Sequence, residues 1–512
     1  MGKVDNYKDR LVKLLKTPGF YFCVGFMILN LFFTRQIMDA NGLNHFLVVA
    51  IAEIIVESVS IFVIMWMRKR GLPLEKQFLF LALVLGTLFI CILPPGQSPD
   101  EITHFRRAYG ISRGIFVADQ VVNDAGAIGS QIPKNTEILN RRPERGTYGL
   151  LKEEIFREDD ELSNQPYTSA ALYNFVCYIP QTLAALAGRV FNLSILATAY
   201  LMEVFNFVVW VLLVYFAIKI LPKFKKIAVF VMLLPITLQE ATSLSPDALT
   251  IGLSVFLVSY ILYLAYGGVE KLSKKDYWFL AISALVIGFC KIVYLPLIFL
   301  MLVIPWTKFG TRKRKWVFLS CLIGLAIILN LVWLAISSRY LLEYRDGVDS
   351  KAQLIGIVSN PLRYLMVMFR TVNASGQGWL TNLLGTTLGS FSFYLPYAIF
   401  PLSYAVAIIL FAQRDESVKL KKYDRTIFLS IFVVIMVGIF TSLYMQWTAV
   451  GAEVIDGIQG RYFLPILMLV PVIICRKKIT KKYPSIISEW AILYYSLFIN
   501  IVAYVTIFAQ NV

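Results

Sequence analysis

The residues best suited to chemistry follow the third apolar stretch of the chain, where Asp100, His104 and Arg107 stand at positions i, i+4 and i+7. That spacing puts a carboxylate, an imidazole and a guanidinium on one face of a helix, where together they can accept a proton and hold an anion. A structural interpretation competes with this one, because Ser98 as N-cap and Glu101 closing a capping box describe an ordinary helix start. The local pattern leaves both interpretations open.

The same Ser-Pro-Asp signal recurs immediately before another predicted helix, which Asp247 begins. Capping alone would account for it. However, Gln239 and Glu240 lie one to two helical turns earlier, and the predicted span directions bring Asp247 to the same membrane surface as Asp100. A second carboxylate there could place an acceptor substrate or share a divalent cation with Glu101.

Two cationic residues border short apolar runs on the same predicted surface. Lys291 separates two of these runs, and Arg461 precedes another, in the sequence Gly-Ile-Gln-Gly-Arg-Tyr that also contains Gln459 and Tyr462. Each cation could bind an anion or could merely anchor its helix at the membrane interface. A guanidinium offers paired hydrogen bonds that match phosphate geometry, so Arg461 suits a phosphate diester.

Membrane-spanning helices must position these residues. Of 512 residues, 58% are hydrophobic and only 16% charged, and the mean hydropathy of +0.68 excludes an ordinary soluble protein. A helix of roughly 20 apolar residues crosses a bilayer. We therefore predict an all-α polytopic membrane protein with about thirteen transmembrane helices, near residues 19–38, 45–67, 77–93, 196–218, 226–243, 247–267, 277–290, 292–306, 316–337, 396–412, 426–446, 462–475 and 487–509.

The net charge of +17 reflects topology rather than nucleic-acid binding. Of 49 Lys and Arg residues, 31 fall in seven short segments between apolar runs, at 1–18, 68–76, 219–226, 268–276, 307–315, 414–425 and 476–483. The predicted spans place all seven on one side, which the positive-inside rule assigns to the cytoplasm, together with the N-terminus. The apolar stretch 170–190 then cannot cross, and we predict that it dips into the outer leaflet. The outer segments are 94–195, 338–395 and 447–461.

Other residue types limit the possible sites. The cysteines form no Cys-x-x-Cys pair, and only His45 and His104 are present, so neither a disulfide framework nor a multi-histidine metal centre is predicted. Glu53 and Glu57 share one face of the second span and indicate either a helix contact or an ion path.

Five stretches together resemble a family of bacterial membrane proteins known as domain of unknown function 2142 (DUF2142). They are Pro-Asp-Glu-x-x-His-Phe-x-Arg at 99–107, Tyr173 to Pro180 with Gly188-Arg189, Ser243 to Leu249, Cys290 to Pro296 and Gly457 to Pro465. The family in turn looks similar to C-type (GT-C fold) glycosyltransferases. The likeness predicts an N-terminal helical hairpin at 1–76, a GT-C-like catalytic membrane domain at 77–475 and a C-terminal transmembrane helix within 476–512.

This resemblance implies a reaction on the outer face of the bacterial plasma membrane. Such enzymes transfer a sugar from a polyprenyl-phosphate carrier, here to a cell-envelope polysaccharide or glycolipid, and inversion at the anomeric carbon is expected. Asp100 becomes the general base, Glu101 or Asp247 places the acceptor, and Lys291 and Arg461 contact the lipid phosphate. Supporting contacts in the substrate site are expected from His104, Arg107, Gln459 and Tyr462.

Some questions stay open at this stage. The sequence has no clear Asp-x-Asp motif, so no cofactor is predicted with certainty, and Mg²⁺ or Mn²⁺ remains an option. A transporter of lipid-linked oligosaccharides would also need outer cations and intramembrane acids, although transporters usually carry internal repeats with helices broken at the midplane. A noncatalytic partner in envelope polysaccharide assembly is the third alternative.

Overall fold

A computed structural model describes residues 18–118, 120–121, 127–140, 142–156, 161–337, 347–412, 420–474 and 488–512. Three basic segments predicted from the sequence, 1–18, 414–425 and 476–483, lie wholly or partly outside these ranges. The beginning of the predicted outer segment 338–395 also lies outside them.

The first site residue follows three long helices, α1 (Pro18–Ala40), α2 (Phe46–Lys69) and α3 (Leu74–Ile92). The region from α3 to residue 194 folds into short elements: α4 (Glu101–Ser112), β1 (Gln120–Val121), β2 (Ile128–Pro133), β3 (Leu162–Pro166), α5 (Thr168–Ala171) and α6 (Ile179–Val190). The three strands pair antiparallel in the order β1-β2-β3. The all-α prediction missed this small sheet.

The rest of the chain is again helical. Its α-helices are α7 (Ile195–Ile220), α8 (Lys225–Met232), α9 (Pro235–Ala241), α10 (Asp247–Tyr266), α11 (Lys274–Cys290), α12 (Arg312–Ser337), α13 (Ser350–Ser359), α14 (Pro361–Leu383), α15 (Ile399–Ala412), α16 (Lys422–Gln446), α17 (Val470–Ile474) and α18 (Glu489–Asn511). Long 3₁₀ helices occupy Ile292–Val303 and Gly460–Leu469, and a two-stranded sheet joins β4 (Thr387–Leu388) to β5 (Phe393–Tyr394).

The protein is a helical membrane protein, but the count of thirteen spans is not confirmed. Within the described residues, seven helices are long and apolar enough to cross a bilayer, namely α2, α3, α7, α10, α12, α16 and α18. An eighth is possible if α13 and α14, bent by 110°, form one span. The predicted span at 226–243 is divided into α8 and α9, because Pro235 disfavours helical conformation at the residue before it.

Two side-chain contacts show which helix ends share one end of the bundle with the basic segments. Lys225 Nζ lies 3.4 Å from Glu75 Oε2, and Lys308 Nζ donates to the carbonyl of Leu264 at 2.6 Å. These contacts join the basic segments 219–226 and 307–315 to the start of α3 and the end of α10. Since Asp100 follows the other end of α3, the site residues lie at the opposite end of the bundle from these cations.

The helices around the site pack closely. α7 packs against α3 and α10, and α10 packs against α11. A Cβ added to Gly86 of α3 would collide with the Phe207 ring of α7, so any larger residue there would have to displace this ring. α18 packs against α1 and α3 and is largely enclosed by protein, whereas α12 is mostly exposed at its surface.

Glu53 and Glu57 of α2 form contacts with α1. Thr34 Oγ1 donates to Glu53 Oε2 at 2.7 Å, and Asn30 Nδ2 donates to Glu57 Oε1. Both carboxylates are buried. Of the two interpretations of this pair, the structure provides the helix contact.

Candidate functional site

Four charged residues from separate parts of the chain meet beyond the ends of α3, α10 and α11. Lys291 Nζ lies 2.5 Å from Asp247 Oδ1, and Arg461 Nη1 lies 3.8 Å from Asp247 Oδ2. Arg461 Nη2 approaches Asp100 Oδ2 at 3.6 Å. We call Asp100, Asp247, Lys291 and Arg461, with Glu240 described below, the charged cluster.

Arg461 is the centre of this cluster. Its side chain is only 6% exposed. Nε donates to Gln459 Oε1 at 2.6 Å, and Nη1 donates to Glu240 Oε2 at 3.3 Å. Among the described contacts, Nη2 has only the 3.6 Å approach to Asp100, which is too long for a hydrogen bond. Within the described part of the chain, the Nη2 arm is therefore the less engaged end of the guanidinium.

The backbone around Arg461 is fixed by α14. The amide N–H of Arg461 donates to Asn382 Oδ1 at 3.2 Å. A Cβ at the preceding residue, Gly460, would lie 2.3 Å from the carbonyl oxygen of Trp379, so only glycine allows this approach. α14 thus positions Arg461 without contacting its guanidinium.

Asp100 is the exposed carboxylate of the cluster. Its backbone is left-handed, with φ of 62°, and its side chain is 64% exposed and makes no capping hydrogen bond. The prediction that Ser98 caps the helix is wrong, because α4 begins at Glu101. Asp tolerates the left-handed region better than most residues. The left-handed backbone therefore places the Asp100 carboxylate on the solvent-exposed side of the charged cluster.

Glu101 is hydrogen-bonded to the turns that carry Asp100 and Asp247. Its Oε2 accepts hydrogen bonds from the amides of Gly96 and Ser98 at 2.7 and 3.0 Å, and its Oε1 accepts one from the amide of Leu244 at 3.0 Å. Both oxygens are thus engaged by the two Ser-Pro-Asp turns. Burial raises the pKa of this carboxyl, and the three amides oppose the rise. Through these hydrogen bonds, Glu101 joins the turn that carries Asp100 to the turn that carries Asp247.

Glu101→Gln is expected to lower stability, because the new amide group would face backbone N–H donors that now bond to a carboxylate. The loss of satisfied buried hydrogen bonds typically costs about 1 to 3 kcal/mol. Thermal unfolding of the purified variant in detergent would measure it. An unchanged melting temperature would show that Glu101 does not join the turns.

His104 lies beneath Asp100 and is buried. Its Nδ1 lies 2.7 Å from the hydroxyl of Tyr178. Burial lowers the pKa of His104 to about 4, although the carboxylates of Asp100 and Asp247 oppose the shift, and Arg461 and Lys291 add to it. The imidazole is accordingly neutral near pH 7 and would meet a ligand as a hydrogen-bonding group, not as a cation.

Because neutral His104 is buried, the free energy of unfolding should decrease as the pH falls. An unfolded histidine takes up a proton near pH 6.5, whereas the native one does so only near pH 4. The unfolded state therefore binds more protons between these values, and the stability is lost as the pH falls through this window, by about 2 kcal/mol at pH 5. Melting temperatures at pH 7 and pH 5 should differ less in His104→Asn than in the wild type. Equal differences would refute the burial argument.

Arg107, the third residue of the predicted stripe, does not contact the cluster. It is fully buried, and its Nη2 donates to the carbonyl of Phe116 at 2.7 Å and approaches that of Tyr173 at 3.5 Å. These contacts tie the loop after α4 to the segment before α6. The structure thus brings Asp100 and His104 together and turns Arg107 towards the backbone.

Tyr462 lies beside both cations. Lys291 Nζ is 5.2 Å from the ring centroid, and Arg461 Cζ is 5.5 Å from it. The carbonyl of Tyr462 accepts a hydrogen bond from Tyr294 at 2.7 Å. Cations over an aromatic face are stabilised by its quadrupole, so the ring helps to hold Lys291 and Arg461 together.

The family model described as a predicted membrane protein, DUF2142, matches residues 83–470. The match covers well over half of the chain. The chain belongs to the DUF2142 family. No curated protein and no solved structure matches it. All residues of the charged cluster lie inside the matched range of this DUF2142 protein, whereas α1, α2 and α18 lie outside it.

Glu240 is the cluster member that the sequence did not select. The residue is fully buried, with Oε2 on Arg461 and Oε1 without a hydrogen-bond partner in the described part of the chain. The neighbouring Gln239 accepts from the amide of Gly389 at 2.6 Å. The only signal for Glu240 was its position two turns before Asp247.

The described residues include no group of three or more His, Cys, Asp or Glu side chains arranged to hold a metal ion. The suggested cation shared by Glu101 and Asp247 meets a further difficulty. Both oxygens of Glu101 already accept backbone hydrogen bonds, and those of Asp247 face Lys291 and Arg461.

Proposed function

We propose that this DUF2142 protein is a membrane glycosyltransferase that moves a sugar from a polyprenyl-phosphate carrier to a cell-envelope polysaccharide or glycolipid. The observation that carries the proposal is the exposed Asp100 carboxylate 3.6 Å from Arg461 Nη2, with Lys291 close by on Asp247. A base for an acceptor and cations for a leaving phosphate are then adjacent at one end of a helical bundle. The reaction needs both.

The acceptor end of the reaction falls to Asp100. Its carboxylate takes the proton of an acceptor hydroxyl while that oxygen bonds to the anomeric carbon of the donor sugar. The bond between the anomeric carbon and the phosphate oxygen breaks, and its electron pair leaves with the polyprenyl phosphate. Attack opposite the leaving group inverts the anomeric centre. Asp100 suits the role because its side chain is 64% exposed.

Arg461 and Lys291 bind the phosphate of the donor lipid. Both cations now lie beside carboxylates, so a phosphate must compete with Asp100 for the Nη2 arm. Asp100 can yield this position because its approach is long and its side chain faces solvent. Asp247 and the buried Glu240 keep the guanidinium oriented meanwhile. The negative charge that develops on the leaving phosphate would then meet two preoriented cations.

The proposal places the cluster on the outer face of the bacterial plasma membrane. Basic segments at the opposite end of the bundle support this orientation through the positive-inside rule. We expect a membrane-impermeant maleimide to label Glu161→Cys in intact cells and Lys275→Cys only after permeabilisation, because these exposed residues lie at opposite ends. Labelling of both in intact cells would overturn the topology.

A panel of radiolabelled polyprenyl-phosphate sugars tests the activity itself. Purified protein should move label from one donor into an acceptor and leave unlabelled polyprenyl phosphate. A transporter of lipid-linked oligosaccharides would carry the label across the bilayer with the sugar–phosphate bond intact. Protein-dependent movement without cleavage would therefore favour the transporter, and neither outcome would favour a noncatalytic assembly role.

A further inference from the structure

A cavity of about 450 Å³ opens at the end of the bundle opposite the charged cluster. It lies between the first turns of α11 and α12 and is lined by Tyr277, Thr311, Lys313, Arg314, Val317 and Phe318. α11 carries Tyr277 near its beginning and is followed by Lys291 at its other end. The cavity and the charged cluster are therefore separated by nearly the length of this helix, and none of the proposed chemistry uses the cavity.

The mouth of the cavity is lined by cationic side chains. Lys313 and Arg314 are exposed, and within the described part of the chain neither forms an ion pair. A Cβ placed on Gly310 would lie 3.5 Å from Arg314 Nη1 and 4.0 Å from Lys271 Cε, so a third cation reaches the same point from another loop. Unpaired cations this close repel one another, and an anion between them would relieve the repulsion.

The nearest acid on α11 does not neutralise these cations. Asp276 Oδ2 accepts from the backbone N–H and the hydroxyl of Ser273 at 2.6 and 2.8 Å, and Oδ1 accepts from the hydroxyl of Tyr260. Its carboxylate is thus committed to the helix start. Within the described part of the chain, no ion pair neutralises the cations at the mouth.

The wall of the cavity also carries apolar side chains that are exposed at the protein surface. Val317 is 52% exposed, and the helix that carries it, α12, is mostly exposed. The exposed rings of Trp278, Trp306 and Trp316 surround this end of α11 and α12. Tryptophan side chains favour the headgroup level of a bilayer, so the cationic mouth lies where lipid phosphates lie.

We propose that this cavity binds an anionic phospholipid of the facing leaflet. The phosphate and headgroup contact Lys313 and Arg314, with Lys271 nearby, and an acyl chain follows Val317 and Phe318. These three cations, which form no ion pair within the described part of the chain, select an anionic lipid over a zwitterionic one. The apolar wall selects a lipid over a soluble phosphate. Basic pockets beside membrane helices commonly bind anionic headgroups in this way.

Native mass spectrometry of the full-length protein in detergent tests the assignment. Dioleoyl phosphatidylglycerol is titrated against the wild type, Lys313→Gln/Arg314→Gln, and the control Lys69→Gln/Lys76→Gln, which removes two exposed cations from the same end of the bundle. The cavity pair should weaken the tightest lipid binding about 30-fold, as expected for two cations beside an anionic headgroup. The control should change it less than about twofold.

Three further measurements decide what the cavity recognises. Dioleoyl phosphatidylcholine should not bind at the same concentration, and glycerol 3-phosphate should not displace the lipid. Val317→Trp, which fills the apolar wall but keeps every cation, should also weaken binding. Equal losses of lipid affinity in the two double variants would mean that only the general surface charge matters. Displacement of the lipid by glycerol 3-phosphate would make this a site for soluble anions. Unchanged binding in Val317→Trp would show that the lipid does not occupy the cavity.

Discussion

Asp100→Asn is expected to abolish sugar transfer while leaving the fold nearly intact. The substitution keeps the size of the side chain and removes the oxygen that would take the acceptor proton, and general-base catalysis typically contributes about 10²- to 10⁴-fold to the rate. Asn also tolerates the left-handed backbone of this position, where φ is 62°. Initial rates of transfer and the melting temperature should be measured on the same preparation.

Glu161→Gln is the matched control for Asp100→Asn. Its side chain is 81% exposed in the segment between α4 and α7, and within the described residues it forms an ion pair with Lys134, whose Nζ lies 3.8 Å from Oε2. Removing this charge should leave transfer unchanged. If Asp100→Asn keeps most of the wild-type rate, or if both variants lose the same fraction of it, Asp100 is not the base.

Arg461→Lys should weaken donor use although it keeps the positive charge. An ammonium cannot contact Gln459, Glu240 and a phosphate at once with the geometry of a planar guanidinium. Arg461→Ala should be worse, since charge-assisted contacts contribute about 1.5 to 3 kcal/mol each. It would also leave the buried Glu240 without its cation, so Arg461→Lys isolates the binding effect better.

The double variant of Arg461→Ala and Lys291→Ala separates a shared ligand from two independent anchors. Binding of the polyprenyl-phosphate donor should be lost non-additively, because both cations would hold one phosphate. Since both also contact Asp247, the melting temperatures must be measured separately from the donor affinities. Strictly additive changes in donor affinity, or none, would leave Lys291 and Arg461 as anchors of their helices.

The helical membrane fold could be predicted because the length of each apolar run and the charge of the segments between the runs can be determined from the sequence alone. The count of thirteen spans is not confirmed, and the places where predicted spans and observed helices differ depend on backbone geometry. Pro235 divides one predicted span, and two others adopt 3₁₀ helices at Ile292–Val303 and Gly460–Leu469. A 3₁₀ helix rises about 2.0 Å per residue against about 1.5 Å for an α-helix, so a residue count misjudges the thickness it covers.

The cluster was only partly predictable for a different reason. Span directions alone bring Asp100, Asp247, Lys291 and Arg461 to one surface, and the structure brings them into contact. The direction of each side chain depends on tertiary partners, which a sequence pattern does not contain. Arg107 has the right helical spacing but is held by backbone carbonyls of the following loop. No sequence pattern indicated Asn382. Its side-chain oxygen accepts a hydrogen bond from the backbone N–H of Arg461, and this contact exists only in the folded protein.

The most direct test of the central claim follows one labelled donor in proteoliposomes containing either the wild type or Asp100→Asn. The donor is the polyprenyl-phosphate sugar that the panel identifies, with label in the sugar and donor binding measured in parallel. We predict that the label passes from the polyprenyl-phosphate donor to the acceptor that the panel identifies only with the wild type, although both proteins bind the donor equally. Label that passes from the donor to the acceptor at the same rate with both proteins, or with neither, would contradict the assignment of a glycosyltransferase site at Asp100 and Arg461.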